Sequence, residues 1–291
     1  MFRKLFLLSH PLNLLLAALT YILGVSVAKY LGRPLVQESF WLGLIGVVLA
    51  QASMSLLAEV YRPENEPIVE NETRLERKSV QDAALYVTIG SLAVNAFIAF
   101  VLYYSGHLLL AAFVFLLLSL MIVLAYSVPP LRLLNRGFGE FLLAAHLGYV
   151  IPSIGFLLQA GEYHRLLPAL AIPLTALGFA YFLILNFLTF ASDQKYQRRT
   201  MLRQLSWERT VPFHHSLIIA AYVLFLASSI LSFSFSLLWP AFLTLPFAIL
   251  QIFLLRAIAL GNRPNWPLLT VTSLAVFGLT AYFLTLTFWL R

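Results

Sequence analysis

A bundle of nine membrane-crossing helices is the fold class this sequence predicts, and three observations predict it. First, 61% of its 291 residues are hydrophobic and 11% are charged, with a mean hydropathy of +0.87. A water-soluble chain of this size needs far more charge to cover its surface. Second, nine stretches stay apolar for about 20 residues, the length that spans a hydrocarbon core. They run approximately over 11–28, 39–60, 82–104, 108–128, 138–158, 167–190, 211–232, 236–256 and 267–290. Third, placing the N-terminus in the cytoplasm segregates the cations. Arg3, Lys4, Arg62, Arg74, Arg77, Lys78, Arg132, Arg136, Lys195, Arg198, Arg199, Arg203, Arg209, Arg256 and Arg263 fall inside, leaving Lys29, Arg33, Arg165 and Arg291 outside. That is the positive-inside pattern of an all-α polytopic protein with its N-terminus in and its C-terminus out.

Taken in order, the first span follows Arg3 and Lys4 and imitates a signal peptide, with Ser26-Val27-Ala28 resembling a cleavage site. Its apolar run exceeds the roughly 7–15 residues of a signal core, so it reads as a retained helix. The second span ends in Gln51, Ser55 and Glu59, a polar stripe at four-residue spacing and hence on one face. Beyond it lies YRPENEPIVENETRLERK, in which Glu70, Glu72 and Glu76 read as solvated loop acids. Ser105-Gly106-His107 makes a short turn into span four. Pro129 and Pro130 stop that span, while Gly137 and Gly139 permit a tight entry into span five. Span six runs out through Asn186 and Asp193, seven residues apart and so on one helical face. It leads into Lys195, Arg198, Arg199, Arg203 and Arg209. His214 and His215 open span seven and read as interfacial. The chain reads as one domain, residues 1–291. Spans two and six, four helices apart, each carry polar residues into a long charged loop, which suggests parallel repeats of helices 1–4 and 5–8 with a ninth appended.

Several functions are set aside by composition. With no cysteine there is neither a disulfide nor a thiolate metal site. The +7 net charge is a topology signal plus attraction to anionic headgroups, so a nucleic-acid partner is not needed. No zinc spacing, Gly-rich phosphate loop or nucleophile arrangement occurs. A transporter predicts ionisable groups at mid-membrane, yet apart from His146 the titratable residues cluster at helix ends. His146 and Asn95 read as interhelical hydrogen-bonding residues.

The remaining polar residues suit metal and phosphate chemistry. Asp193, Asn186, Glu59, Glu64 and Glu66 offer oxygen ligands of the kind magnesium takes together with water and phosphate. Arg132 and Arg136, between spans four and five, stand where guanidinium forks grip a diphosphate. As loop cations they equally satisfy the positive-inside rule.

One segment carries a resemblance. YSVPPLRLLNRGFGE, residues 126–140, resembles the loop after helix four in the UbiA superfamily of intramembrane prenyltransferases. There a Tyr-Ser-x-Pro-x-Arg pattern precedes a Lys/Arg-Gly-x-Gly-Glu turn. The helix count, the charged loops after helices two and six, the opening HPLN and the segment DQKYQRRTMLRQL are similar to that family as well. The family's aspartate-rich motifs are incomplete here. The first maps to Ser55-Leu-Leu-Ala-Glu59-Val-Tyr-Arg-Pro63, with one acid in register, and in the second Asp193 matches the last aspartate while Thr189 replaces the earlier acid.

The resemblance implies transfer of a prenyl group from a prenyl diphosphate to a hydrophobic aromatic or quinone-precursor acceptor, in a bilayer, with Mg2+. Asp193, Glu59 and Tyr126 are then the catalytic candidates. The metal would fall to Asp193, Asn186 and Glu59, with Glu64 and Glu66 beside them. Arg132, Arg136, Lys195 and Arg199 would bind the diphosphate. Asn13 would contact the acceptor or bond a neighbouring helix, and Tyr126 would approach the reacting centre or anchor at the interface. The setting expected is the plasma membrane of a prokaryote. The alternative is a relative with a degraded metal site that binds an isoprenoid lipid or quinone without transfer.

Overall fold

In the computed structural model, residues 1–68 and 72–291 are described, so Glu70 lies outside them. Among the described residues every predicted span is a helix long and apolar enough to cross a membrane. A short helix, α1 (Phe2–Leu8), comes first. The spans are α2 (Pro11–Tyr30), α3 (Gln37–Val60), α4 (Arg74–Tyr104), α5 (Leu110–Ser127), α6 (Gly139–Ala160) and α7 (Leu166–Lys195). A five-residue helix, α8 (Met201–Leu205), then precedes α9 (Trp207–Leu231), α10 (Phe235–Ala259) and α11 (Trp266–Leu290).

Burial ranks these helices. In α6 and α7, 72% of the spanning window is buried, against 22% in α4, so the first two form the centre and α4 presents most of its surface to lipid. In a bilayer the apolar face gains nothing by leaving lipid, so close backbone approach and interhelical hydrogen bonds hold helices together. α2 and α6 meet this way. A Cβ at Gly24 would run into the Pro152 carbonyl, and one at Gly155 into the Tyr21 carbonyl. Gly148 likewise lets α6 rest on the Thr175 backbone of α7.

Polar contacts cross the bundle at several places, among them Ser127 Oγ donating to the Met54 carbonyl at 2.7 Å. His146 bonds Gln51 Oε1 at 2.9 Å through Nδ1 and Ser119 Oγ at 2.8 Å through Nε2. Since the Gln51 carbonyl only accepts, Nδ1 carries the proton and Nε2 accepts from the serine. This is the interhelical role expected for His146. Tyr222, Thr244 and Thr280 form a second chain, at 2.8 and 2.7 Å. His214 departs from the interfacial expectation. α9 begins at Trp207, so His214 lies two turns inside, fully buried, with Nε2 2.8 Å from the Gln251 amide of α10.

Two features depart most from the hydropathy reading. α4 starts at Arg74, eight residues early, because Thr73 and Glu76 form a capping box. Thr73 Oγ1 accepts from the Glu76 N–H at 3.2 Å, and the Glu76 carboxylate accepts from the Thr73 N–H at 3.0 Å. Glu72 accepts from the Ile68 N–H and from Arg77, at 3.0 and 3.3 Å. Both acids are therefore structural ligands of this connection and not merely solvated. Within α6, His146–Val150 forms a π-turn, which carries one residue more than the α-helix around it.

Candidate functional site

The N-terminal end of α2 and the C-terminal ends of α3, α5 and α7 surround a cavity of about 480 Å³. Its inner wall is apolar and aromatic, with Leu143, Tyr181, Phe182 and Leu185. Its outer wall is charged. Ser55 and Glu59 enter from α3, Glu140 from α6, and Asn186, Thr189 and Asp193 from α7. These α7 residues share a face because their spacing of three to seven residues returns the helix to one side.

The acids are not free. Glu59, 4% exposed, receives Arg62 Nε on Oε2 at 2.7 Å and Arg62 Nη2 on Oε1 at 2.6 Å. Glu66 Oε1 receives Arg62 Nη1 at 2.5 Å and also Arg198 Nη2. Asp193 Oδ1 receives Arg198 Nη1 at 3.2 Å, while the Thr189 hydroxyl donates to Oδ2 at 2.8 Å. The result is a ladder running Glu59, Arg62, Glu66, Arg198, Asp193 across the cavity. Burial works against the charge of Arg198, and the carboxylates of Glu66 and Asp193 outweigh it, holding its pKa above the usual value. Deeper, Glu140 accepts from the Asn186 amide and from the Met201 N–H at 3.3 Å, leaving Oε2 buried without a partner.

Arg132 is the contrasting cation. It lines the cavity from a left-handed backbone position, φ 33°, that closes the turn after α5. Among the described residues its side chain makes one hydrogen bond, from Nη2 to the Ala58 carbonyl, long at 3.5 Å, and its Nε is buried without a partner. No carboxylate among the described residues pairs with it. Burial lowers its pKa, Glu66 opposing, but a guanidinium stays charged throughout the working range.

The structure gathers Asn13, Glu59, Glu66, Tyr126, Arg132, Asn186 and Asp193 on this one cavity. Four other expected residues lie elsewhere. Glu64 is exposed and takes part through its carbonyl, which accepts from Arg77 at 3.3 Å. Exposed Arg136 donates to the Pro130 carbonyl at 2.8 Å, Lys195 lies over the Tyr196 ring at 5.1 Å, and Arg199 points outward. The expected magnesium set of Glu59, Glu64, Glu66, Asn186 and Asp193 does not assemble. Among the described residues no three His, Asp or Glu side chains come together as metal donors, because the guanidiniums occupy the space between the acids and Asn186 is spent on Glu140.

Arg62, Arg198 and Glu140 are cavity residues the sequence reading did not single out. Arg62 had a local signal, standing three residues after Glu59 and four before Glu66. Arg198 stood in the cationic run five residues after Asp193, but its pairing with Glu66, 132 residues away, had no local signal.

A sequence model of the UbiA prenyltransferase family matches residues 17–268, most of the chain. The chain belongs to the UbiA prenyltransferase family. The fold agrees. A UbiA homologue from Archaeoglobus fulgidus, solved with GPP and Mg2+ and again with DMAPP and Mg2+, superposes with a TM-score of 0.67 in each case. The identity is 14%, over 97% of this chain and 99% of the other. The apo UbiA homologue from Aeropyrum pernix K1 gives a TM-score of 0.54 at 14% identity, over 94% of both chains. No curated protein matches. This UbiA protein carries Glu59 and Asp193 on a common cavity, with Arg62 and Arg198 interleaved among its acids and Arg132 beside them.

Proposed function

We propose that this UbiA protein binds a prenyl diphosphate with its diphosphate at the charged outer wall and its chain along the apolar inner wall, and transfers the prenyl group to a hydrophobic aromatic or quinone-precursor acceptor. The observation that carries the reading is Arg132. An unpaired guanidinium on a cavity that is charged at one end and aromatic at the other suits an anionic head on an apolar tail. The charged end would face the cytoplasm, a side that the positive-inside count supports, in the plasma membrane of a prokaryote.

In this reaction the allylic C–O bond breaks and its electron pair leaves with the diphosphate. Arg132, Arg62 and Arg198 would stabilise the charge gathering there. The cation-like allylic carbon would lie near Tyr126 and Tyr181, whose ring faces are the negative ends of their quadrupoles. The Tyr126 hydroxyl makes no hydrogen bond within the described chain and would be available to the acceptor, as would Asn13 on the same cavity. The acceptor's ring carbon forms the new bond and loses its proton.

Magnesium accompanies the donor in the Archaeoglobus structures. Here the donors do not fit it as arranged, since Glu59, Glu66 and Asp193 would have to exchange guanidinium partners for the ion. No step above is assigned to a metal.

The test is transfer of a labelled prenyl diphosphate by the purified protein over a broad acceptor panel, with and without Mg2+. The expected result is product that falls at least a hundredfold in Asp193→Ala. Product unchanged in that variant rejects the site. Binding without product for any acceptor favours the second reading, a bundle that holds an isoprenoid without transferring it. The neutralised acids are the observation behind that second reading.

A further inference from the structure

Among the described residues, Glu66 is the one acid on the cavity that no helix carries. It lies in the turn between α3 and α4, yet it is 4% exposed. Its Oε1 accepts from two guanidiniums that arrive from opposite sides, Arg62 at the end of α3 and Arg198 beyond α7. Two forks converging on one anionic oxygen is the geometry by which arginines take a phosphate oxygen. A carboxylate of the chain's own occupies it here.

The forks do not depend on that carboxylate for their position. Arg62 is held by Glu59 at two points, and Arg198 by Asp193, whose other oxygen is fixed by Thr189. Arg203 braces the same corner by donating to the Arg198 and Asp193 carbonyls at 2.7 and 3.1 Å. The backbone beneath Glu66 is pinned as well, because Arg77 donates to the carbonyls of Arg62, Pro63 and Glu66 at 2.9, 2.7 and 3.0 Å. Rotation of the Glu66 side chain alone would therefore vacate the notch and leave both forks in place.

Charge decides what could enter. With Glu66 in the notch, Arg62, Arg198 and Arg132 are matched by the carboxylates of Glu59, Glu66 and Asp193. With Glu66 out, the same three guanidiniums face Glu59 and Asp193, an excess of one positive charge at this end of a partly desolvated pocket, Glu140 being held deeper by the Asn186 amide and the Met201 N–H. A carboxylate and a phosphate cannot share the notch, since like charges at contact distance repel.

We propose that the notch between Arg62 and Arg198 is the subsite for the donor's terminal phosphate, and that Glu66 is a built-in stand-in for it, filling the notch until the phosphate turns it out. The proposal rests on the diphosphate reading above and adds the residues that compete for and grip that group. It makes Glu66 an antagonist of the donor, where a metal-ligating Glu66 would be its helper.

The two roles predict opposite signs for one substitution. Full-length protein in phosphatidylcholine nanodiscs, free of anionic lipid, is titrated with labelled geranyl diphosphate in EDTA and again in Mg2+. Glu66→Gln keeps the shape and removes the charge, and it should bind the donor about tenfold more tightly than the unaltered protein in EDTA. Arg198→Ala should bind it about tenfold more weakly. Equal or weaker binding by Glu66→Gln overturns the proposal while leaving the donor reading intact. A loss confined to Mg2+ makes Glu66 a metal ligand instead. Absence of binding by both proteins in either buffer overturns the donor reading and the proposal together. Should Arg198→Ala fail to fold, the sign of the Glu66→Gln change decides alone.

Discussion

Glu59 and Arg62 are clasped at two points across a single helical turn, Nε to Oε2 at 2.7 Å and Nη2 to Oε1 at 2.6 Å. Both are largely shielded from water, with side chains 6% and 17% exposed. Breaking such a pair leaves a carboxylate without its counter-ion, which costs far more than the pair contributed. Arg62→Ala is therefore expected to destabilise the folded protein by about 3 kcal/mol. Adding Glu59→Gln should recover part of that loss. Thermal unfolding of the four proteins of the cycle in nanodiscs measures the coupling, and strictly additive losses would refute the clasp.

Arg132 should behave in the opposite way. With no acid to strand, Arg132→Ala is expected to leave the melting temperature unchanged or higher, while donor affinity drops about tenfold as one charge-assisted contact is lost. Arg132→Lys should recover little, since a single ammonium cannot reproduce the fork. A fall in stability matching that of Arg62→Ala would show that Arg132 is structural.

His146 joins α3, α5 and α6 away from the cavity. His146→Ala strands the Gln51 carbonyl and the Ser119 hydroxyl, at a cost of about 1 kcal/mol for interhelical bonds in a membrane. Donor affinity should not move. A change in affinity larger than the change in stability would place this network in the site.

Glycines separate packing from helix propensity. Gly24→Val pushes side-chain atoms into the α6 backbone and should prevent recovery of folded protein. Gly90 faces open space on α4, and Gly90→Ala should gain up to about 1 kcal/mol because alanine loses less backbone freedom in a helix. Folded yield and unfolding midpoint check the two. Equal effects would mean that α2 and α6 do not touch at Gly24.

The spans were legible because lipid imposes a single strong rule on about 20 residues at a time. Residues whose geometry is set by one helix were legible too: Gln51, Ser55 and Glu59 lie on one face of α3, and Asn186 and Asp193 on one face of α7. What escaped was set by short polar patterns or by distance. The Thr73–Glu76 capping box lengthened α4 through residues that hydropathy scores as loop. Arg198 joined the site through a partner in another connection. Arg136, Lys195 and Arg199 carry the charge a phosphate site wants, but a charge in a loop does not say which way its stem turns. The magnesium expectation rested on the oxygen ligands the acids offer, and sequence does not show that Arg62 and Arg198 pair with those acids in this structure.

The π-turn in α6 has a consequence for how this helix was assembled. One surplus residue offsets the two halves of α6 by about 100° of rotation, the angle between successive residues in an α-helix. Because of that offset, Glu140 can look into the cavity while Gly155 still meets the Tyr21 carbonyl. Trimming one residue between 146 and 150 would straighten the helix and force a choice, with either the acid swung away from the chamber or the α2 seam prised open. The irregular turn works as a phase shifter, letting one rod serve two neighbours whose demands fall out of step.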